Sequence, residues 1–448
     1  MKKNDIVTLE ITALTSEGSG VGRFEGMAMF VPFSAVGDVV SCRIVKMQKS
    51  YAYGKIEEII TPSPYRTEND CPAFGKCGGC AFRHIRYSAE LRAKEQTVRD
   101  AFQRIGGLDP EFLPICGSED TERYRNKLQM PLSKSDSGEI VSGFFSERSH
   151  RVIPVEDCKL QPKIFSEIVG FIKTQLKALK ISVYNEREST GVMRHIYLRK
   201  GYRSGEICVT LVAKRKVPEF GKLARELSQK FPEITGIVLN INPQKTNVIL
   251  GEKEIWLYGQ AEISDKMCGV SVGISPKSFY QVNTPAAENL YRQAAEFAQP
   301  EGKTVLDLYC GAGTIGLSMA GEAAKIIGAE IVPEAVENAK KNALLSGFLN
   351  TEFICADAGQ AAAELAGQGI SPDVILLDPP RKGCGEQTLL ACVKMAPQRI
   401  VMISCNPATA ARDCKFLAEN GYEVKQVRAF DLFPRTKHVE CAALITRK

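Results

Sequence analysis

The spacing of apolar residues changes period along the chain. Over residues 1–60 it alternates: Ile6, Thr8, Glu10 and Thr12 begin a period of two, Gly18, Gly20, Gly22 and Gly26 punctuate it, and stretches 28–31, 39–46 and 52–58 continue it. Short strands with glycine turns predict a small β-barrel. Thr61-Pro-Ser-Pro64 reads as a linker. Residues 83–104 have a helical pattern closed by Gly106-Gly107, and the stretch to about residue 270 is mixed α/β. From residue 271 strands alternate with helices, the strands at 304–308, 325–331, 351–356, 373–377, 399–403, 424–430 and 442–446, with a helix at 333–346. That pattern predicts a doubly wound, Rossmann-like α/β sheet ending in an antiparallel hairpin. The expected domains are 1–62, 63–270 and 271–448.

Composition adds modest constraints. With 448 residues, a net charge of +6 and no run of 18 apolar residues, no membrane span is expected. The amino terminus alternates where a secretory leader would be continuously apolar, so a cytoplasmic protein is expected. Its 15 cysteines then read as thiols, ligands or catalysts and not as a disulfide framework. Between residues 187 and 216 eight Lys or Arg stand against two acids, with Tyr197 and Tyr202 interleaved. Such a surface would neutralise phosphates and stack bases. The helix at 83–104 is also basic, with six positive and three negative residues. Nothing in the pattern asks for a protein partner.

Candidate chemistry falls in two regions. Cys71-Pro-Ala-Phe-Gly-Lys-Cys77-Gly-Gly-Cys80 puts three thiols within ten residues, with Cys116 and Cys158 as candidates for a fourth ligand. Cys158 follows a turn, whereas Cys116 sits in an apolar stretch. Four thiolates suit Zn²⁺ or a [4Fe–4S] cluster, and spacing alone does not choose. In the last third, Gly311-Ala-Gly-Thr-Ile-Gly316 follows a strand and formally matches a dinucleotide fingerprint. Asp307 at that strand's end is placed instead for the amino acid end of S-adenosylmethionine, Glu330 for ribose hydroxyls and Asp357 for adenine. Asp378-Pro-Pro-Arg-Lys-Gly383, also after a strand, is of use to a methyltransferase and not to a dehydrogenase. A base N-methyltransferase would carry an aromatic residue where Arg381 stands. Ile400-Val-Met-Ile-Ser-Cys405 ends the next strand in a thiol. That pairing fits C5 methylation of a pyrimidine, in which a thiolate first adds to C6 and a base later removes the C5 proton. Asp378, where cytosine enzymes carry a second Cys, favours uracil. Glu440 and His438, in the loop before the last strand, are the candidate bases. Cys384 and Cys441 read as bystanders.

Two resemblances extend this reading. Glu17-Gly-Ser-Gly-Val-Gly-Arg, Phe30-Val-Pro-Phe and Gly37-Asp38 resemble the TRAM domain, an OB-like RNA-binding barrel. The whole chain resembles the RNA uracil-5 methyltransferase family, specifically bacterial 23S rRNA members with a TRAM domain and a [4Fe–4S] cluster. The resemblance implies a class I S-adenosylmethionine-dependent catalytic domain, with Cys405 as nucleophile and Glu440 as base. It implies that Cys71, Cys77, Cys80 and Cys158 hold the cluster in the central domain. Gln281, Tyr309, Glu330 and Asp378 would contact S-adenosylmethionine, beside Asp307, Gly311, Gly313, Thr314 and Asp357. The implied partner is RNA, 23S rRNA ahead of the tRNA T-loop.

Overall fold

The computed structural model describes residues 2–147, 149–260 and 262–448. The alternating region forms β1 (Ile6–Leu14), β2 (Gly20–Phe24), β3 (Met27–Val31), β4 (Val39–Met47) and β5 (Tyr51–Thr61), closed as a barrel in the order β1-β2-β3-β5-β4. Period-two spacing turns Val7, Leu9, Ile11, Met29, Val31, Val40, Cys42 and Ile44 into its core. Gly54 is required there, because a Cβ would stand 2.0 Å from Cys42 Sγ. The Pro-rich stretch that follows is pinned. Ser63 N donates to Asp38 Oδ1 at 2.8 Å, Ser63 Oγ donates to Val36 O at 2.6 Å, and Arg66 grips both oxygens of the buried Asp38.

Helix α1 (Tyr87–Asp100) runs into a π-helical turn at Ala101–Gly106 and stops at Gly107, whose φ of 64° suits glycine. β6 (Glu111–Cys116) leads into the central domain. There β7 (Lys127–Lys134), β8 (Ile140–Phe145), β9 (Val152–Pro154), β10 (Met193–Lys200), β11 (Ile207–Ala213), β12 (Ile234–Ile241) and β13 (Lys253–Gly259) form a sheet of order β13-β12-β11-β10-β7-β8-β9. Helices α2 (Lys163–Ala178) and α3 (Glu219–Lys230) bury Phe165, Ile168, Ile172, Phe220, Leu223 and Leu227 in its core.

The basic 187–216 stretch is only partly the open surface its composition suggests: Arg187, Tyr202, Arg203, Arg215 and Lys216 are exposed, whereas the middle is closed in. Its middle is β10, an internal strand in which Tyr197 is 1% exposed and so stacks on no base. Arg194 Nη1 donates to Asn242 O and Gln244 O, at 2.9 and 2.8 Å. Arg199 donates to the Tyr197 hydroxyl and to Ser278 O. A guanidinium can be buried when backbone carbonyls receive its protons, and distant loops supply them here.

The last third begins with a hairpin, β14 (Ile263–Met267) and β15 (Val270–Ile274), and helix α4 (Thr284–Ala298). Its sheet contains β16 (Thr304–Leu308), β17 (Lys325–Glu330), β18 (Thr351–Cys355), β19 (Val374–Leu377), β20 (Arg399–Ser404), β21 (Tyr422–Phe430) and β22 (Glu440–Arg447). Between these strands lie α5 (Thr314–Leu317), α6 (Pro333–Leu345), α7 (Ala358–Gly367), α8 (Glu386–Met395) and α9 (Pro407–Glu419). The order is β18-β17-β16-β19-β20-β22-β21-β6. β16 to β20 run parallel, and β22 is antiparallel to both β20 and β21, the hairpin ending expected of the pattern. The outermost strand comes from far away in sequence: β6 pairs parallel with β21, Val427 opposite Phe112. The catalytic sheet is thus assembled from two separated stretches of chain. Among the described residues no helix is long and apolar enough to cross a membrane.

Candidate active site

Strand order places the chemistry. Between β16 and β19 the connections diverge, leaving a crevice at the carboxyl ends of the parallel strands. β22 runs the other way, so its amino end arrives at that same edge, and the register setting Ser404 opposite Cys441 brings Glu440 beside Cys405. A cavity of about 1550 Å³ opens there.

One side is backbone-rich. Tyr309, Gly311 and Gly313 all have positive φ, 66°, 55° and 79°, so the chain after β16 coils tightly. Gly311 lines the cavity, and a Cβ added to it would meet nothing within 4 Å, which leaves room for a ligand against the backbone. Glu330, also on the wall, accepts from Gly311 N at 3.1 Å and from Val332 N at 2.8 Å. Asp357 lines the cavity while capping α7 through Gly359 N at 2.9 Å. Tyr309 and Gln281 complete this side; the Tyr309 hydroxyl lies 3.2 Å from Thr388 Oγ1. Three residues expected to touch the cofactor sit behind the wall. Asp307 is buried and accepts from Gly316 N at 2.9 Å, its other oxygen unpartnered, and burial pushes its carboxyl up to about 7. Gly313 packs against Ala339, and the Thr314 hydroxyl meets that of Tyr291 at 3.3 Å. The positive-φ cradle, the free wall over Gly311 and the orphaned Asp307 oxygen fit a small-molecule cofactor carrying polar and cationic groups.

The other side carries Asp378, Pro379, Arg381, Cys405, His438 and Glu440. The Asp-Pro-Pro turn is locked to α9: Asn406 Nδ2 donates to Arg381 O at 2.9 Å while Asn406 Oδ1 accepts from Ala408 N. Burial and the neighbouring Asp378 push Glu440 up to about 8, against the pull of Arg381. Burial alone pushes Asp378 up to about 7. The Cys405 thiol is also raised, by burial first and then by Glu440. Arg381 acts in the opposite direction without prevailing. Burial and the two carboxyls, Glu440 and Asp378, thus outweigh the guanidinium. His438 is driven down to about 4 by burial and by Arg381, leaving a neutral imidazole 5.9 Å from the Phe433 ring. Cys384 and Cys441 are buried away from the cavity wall.

Two features went unseen in the sequence. The first is Arg125, Lys127 and Gln129, which reach the cavity from the central sheet. Their signal is the alternation of polar Lys127 and Gln129 with buried Leu128 and Met130. The second is a buried charge cluster behind the loop that leads into β22. Lys94 Nζ donates to Glu90 Oε1 at 2.8 Å, to Asp431 Oδ1 at 2.7 Å and to Phe433 O at 3.1 Å. Arg435 N donates to Glu90, the Tyr87 hydroxyl to Asp431, and the Tyr124 hydroxyl to Pro434 O. Ala81 N and Phe82 N both donate to Arg435 O, so the segment after Cys80 is tied to this loop.

Cys71, Cys77, Cys80 and Cys158 line the far end of the same cavity as free thiols. They face one another closely enough that Cys158, Cys77 and Cys71 each raise Cys80, which burial already drives to about 12. Among the described residues no group of three or more His, Cys, Asp or Glu is set to close on a single metal ion. Cys116 is not on this wall; it pairs with Phe430 at the sheet edge.

Comparison with known proteins gives the family and the fold. The family model described as tRNA (Uracil-5-)-methyltransferase matches residues 86–448, and that of the TRAM domain matches residues 2–56. An uncharacterized RNA methyltransferase of Halalkalibacterium halodurans is 41% identical over 451 residues, 100% of this chain and 98% of that protein. Another, of Clostridium tetani, is 41% identical over 448 residues, 100% and 97% of the two chains. Among solved structures, the Pyrococcus abyssi tRNA (uracil-54, C5)-methyltransferase in complex with S-adenosyl-L-homocysteine superposes with a TM-score of 0.79 at 26% identity, covering 98% of this chain and 100% of that one.

Proposed function

Because the chain belongs to the tRNA (uracil-5-)-methyltransferase family and is an S-adenosylmethionine-dependent RNA methyltransferase with an N-terminal TRAM domain, we propose that it methylates C5 of a uridine in 23S rRNA, with Cys405 as nucleophile and Glu440 as base. The observation that carries the mechanism is the meeting of Cys405, Glu440 and Arg381 at one strand edge, where Glu440 raises the thiol and Arg381 pulls both groups down. Bound S-adenosylmethionine supplies the electrophilic methyl group. Tyr309, Gly311, Glu330, Asp357 and Gln281 would hold it, with Asp307, Gly313 and Thr314 shaping the loop from behind. Asp378, whose carboxyl burial raises to about 7, would meet the cofactor or the base through a hydrogen bond at the cavity wall. Cys405 adds as thiolate to C6 of the flipped uridine, with Arg381 holding the sulfur and balancing charge. C5 takes the methyl group, Glu440 removes the C5 proton, and the Cys405 thiolate departs as the C5–C6 double bond re-forms.

This mechanism sets a pH dependence. Glu440 accepts a proton only when ionised, and Cys405 attacks only as thiolate. Since Glu440 is held up to about 8 and the thiol is raised as well, turnover should climb with pH through about 8. Below that value it should fall by roughly tenfold per pH unit for each required deprotonation. A single-turnover rate that is flat from pH 6 to 9 would contradict these assignments.

For the thiols we infer a [4Fe–4S] cluster. Four thiols on one cavity wall suit either zinc or a cluster, and the resemblance to cluster-bearing members of the family favours the cluster. Cys71, Cys77, Cys80 and Cys158 would hold it, and its role is structural, since methyl transfer needs no redox step. Anaerobically purified protein should be brown and contain iron. Cys158→Ser should lose the iron and Cys116→Ser should keep it. Colourless protein with stoichiometric zinc would refute the cluster.

The second reading of the substrate is a tRNA T-loop, favoured by the family description and the Pyrococcus abyssi neighbour. Mass mapping of 5-methyluridine in 23S rRNA and tRNA, from cells with and without the protein, decides between them. Efficient methylation of tRNA together with untouched 23S rRNA would reject the rRNA assignment.

A further inference from the structure

The barrel carries a cluster of aromatic rings that the catalytic reading does not use. On β3 and β5 the inward positions Met29, Val31 and Ala52 are buried, so Phe30, Tyr51 and Tyr53 stand on the outer face. The three rings touch one another edgewise, with centroids 5.4 Å apart for Phe30–Tyr51, 5.8 Å for Phe30–Tyr53 and 5.6 Å for Tyr51–Tyr53. β3 and β5 run parallel here, Phe30 opposite Tyr53. Tyr53 is 38% exposed, a large fraction for an aromatic ring in a strand.

Charge is distributed unevenly along the same barrel. Lys46 lies opposite Tyr53 across the β4–β5 ladder, Lys49 is in the turn between those strands, and Arg23 is opposite Ala28 on β2. All three are exposed, and among the described residues neither lysine has an ion-pair partner. The acids near this end are Glu25, in the turn after Arg23, Asp5, which lies beside Ile44 and accepts from Lys2 N at 2.8 Å, and Glu57, which is paired with Arg43 at 2.7 Å. Glu10, Glu58 and Asp38 lie toward the opposite end, where Glu10 is opposite Val39 and Glu58 opposite Ser41. That opposite end is the one against the rest of the molecule: Arg66 holds Asp38, the His84 ring meets Ser34 O at 3.1 Å, and Gly18 lies against Ala81 and Phe82. The aromatic, basic end points away and is free.

We propose that Phe30, Tyr51 and Tyr53, flanked by Arg23, Lys46 and Lys49, form a second RNA site that stacks the bases of a single-stranded stretch of the substrate, remote from the uridine in the cavity. Aromatic faces next to unpaired cations are what a flexible polyanion with flat bases recognises, independently of sequence. This inference rests on the substrate being RNA and on nothing about which uridine is modified.

The test measures binding of an unstructured twelve-nucleotide oligoribonucleotide to the full chain, alongside methylation of a long 23S fragment. The double variant Tyr51→Leu/Tyr53→Leu should weaken oligonucleotide binding about tenfold or more, since stacking contributes ~1–3 kcal/mol per base and 1.4 kcal/mol is tenfold. Tyr51→Phe/Tyr53→Phe, which keeps the rings, should bind within about twofold of the native protein, and that rescue separates lost stacking from lost fold. Lys46→Glu/Lys49→Glu should reduce the slope of log affinity against log salt by about 1.4, at ~0.7 per charge on a single strand. Unchanged binding by the leucine variant overturns the site, as does a change in self-association with RNA affinity intact. Methylation of the long fragment by the native protein with no effect of the leucine pair would sink the platform alone. Absence of methylation on any RNA would sink the functional reading instead.

Discussion

Glu440→Gln should yield a protein that stays joined to its RNA through denaturation. The thiol of Cys405 adds to C6 and C5 takes the methyl group before any proton leaves C5, so removing the base stops the sequence at the methylated adduct. The carboxamide keeps the shape and burial of Glu440 but cannot accept the proton. Native protein should give the same band only with 5-fluorouridine RNA, where fluorine replaces the departing proton, and Cys405→Ala should give it with neither. Turnover should fall by at least about 10³-fold in both variants, since general bases contribute roughly 10²–10⁴ and a covalent nucleophile more. Loss of fold would not explain that fall. Burial holds Glu440 at about 8 against an ordinary 4.5, so its contribution to stability is complete below about 4.5 and is lost as pH rises through about 8. Glu440→Gln should therefore melt no earlier than native protein at pH 8. If Glu440→Gln turns over normally, His438 or a water is the base. If Cys405→Ala still makes 5-methyluridine, covalent addition is not the mechanism.

The second large effect is structural. Lys94 is 2% exposed and its ammonium is the charge between Glu90 and Asp431, both also buried. Replacing Lys94 with methionine fills the space, strips Asp431 of its cation and leaves Glu90 only Arg435, at 3.7 Å. Breaking a buried pair from one side costs about 3–5 kcal/mol, because an uncompensated charge stays behind. Lys94→Met should accordingly lower the melting temperature by several degrees and reduce kcat, as the loop carrying Thr436 and His438 loses its hold on α1. Glu90→Gln in the Lys94→Met background should recover part of the stability, since one stranded charge is removed. A Lys94→Met protein that melts and turns over as the native chain does would show that Arg435 and Tyr87 suffice to hold the loop.

What the sequence made legible follows from locality. β16 to β20 are short apolar runs ending in polar residues, as buried parallel strands must be, and their order along the chain points their ends to one edge. Cys405, Glu440, Asp378, Gln281, Tyr309, Gly311, Glu330 and Asp357 accordingly line one cavity. Asp307, Gly313 and Thr314 sit behind it because a tight turn uses their backbone and side chains internally, which a motif does not reveal. Burial was the harder property to read. Arg194 and Arg199 look like surface charges until carbonyls from residues 242, 244 and 278 fold over them. The same blindness hid the raised thiol of Cys405, which is set by burial first and then by carboxyls from other strands. No local pattern marks β6 as the edge of a sheet whose other strands start at residue 304.

That edge strand has a consequence for how the protein is made. Gln426 Nε2 donates to Glu111 Oε2 across 315 residues of chain. At roughly 5–20 residues per second of synthesis, β6 waits about 15–60 s for its neighbour to leave the ribosome. The barrel can close in that time, whereas the catalytic sheet is completed only when the carboxyl terminus is free. Until then the flanks that β6 and β21 will share are open ladders, which invite pairing with other chains. A chain shortened to begin at residue 271 would keep that ladder open permanently and would strand Asp431 without Lys94. It should collect as aggregates, and co-expression of residues 63–270 as a separate chain should return it to solution.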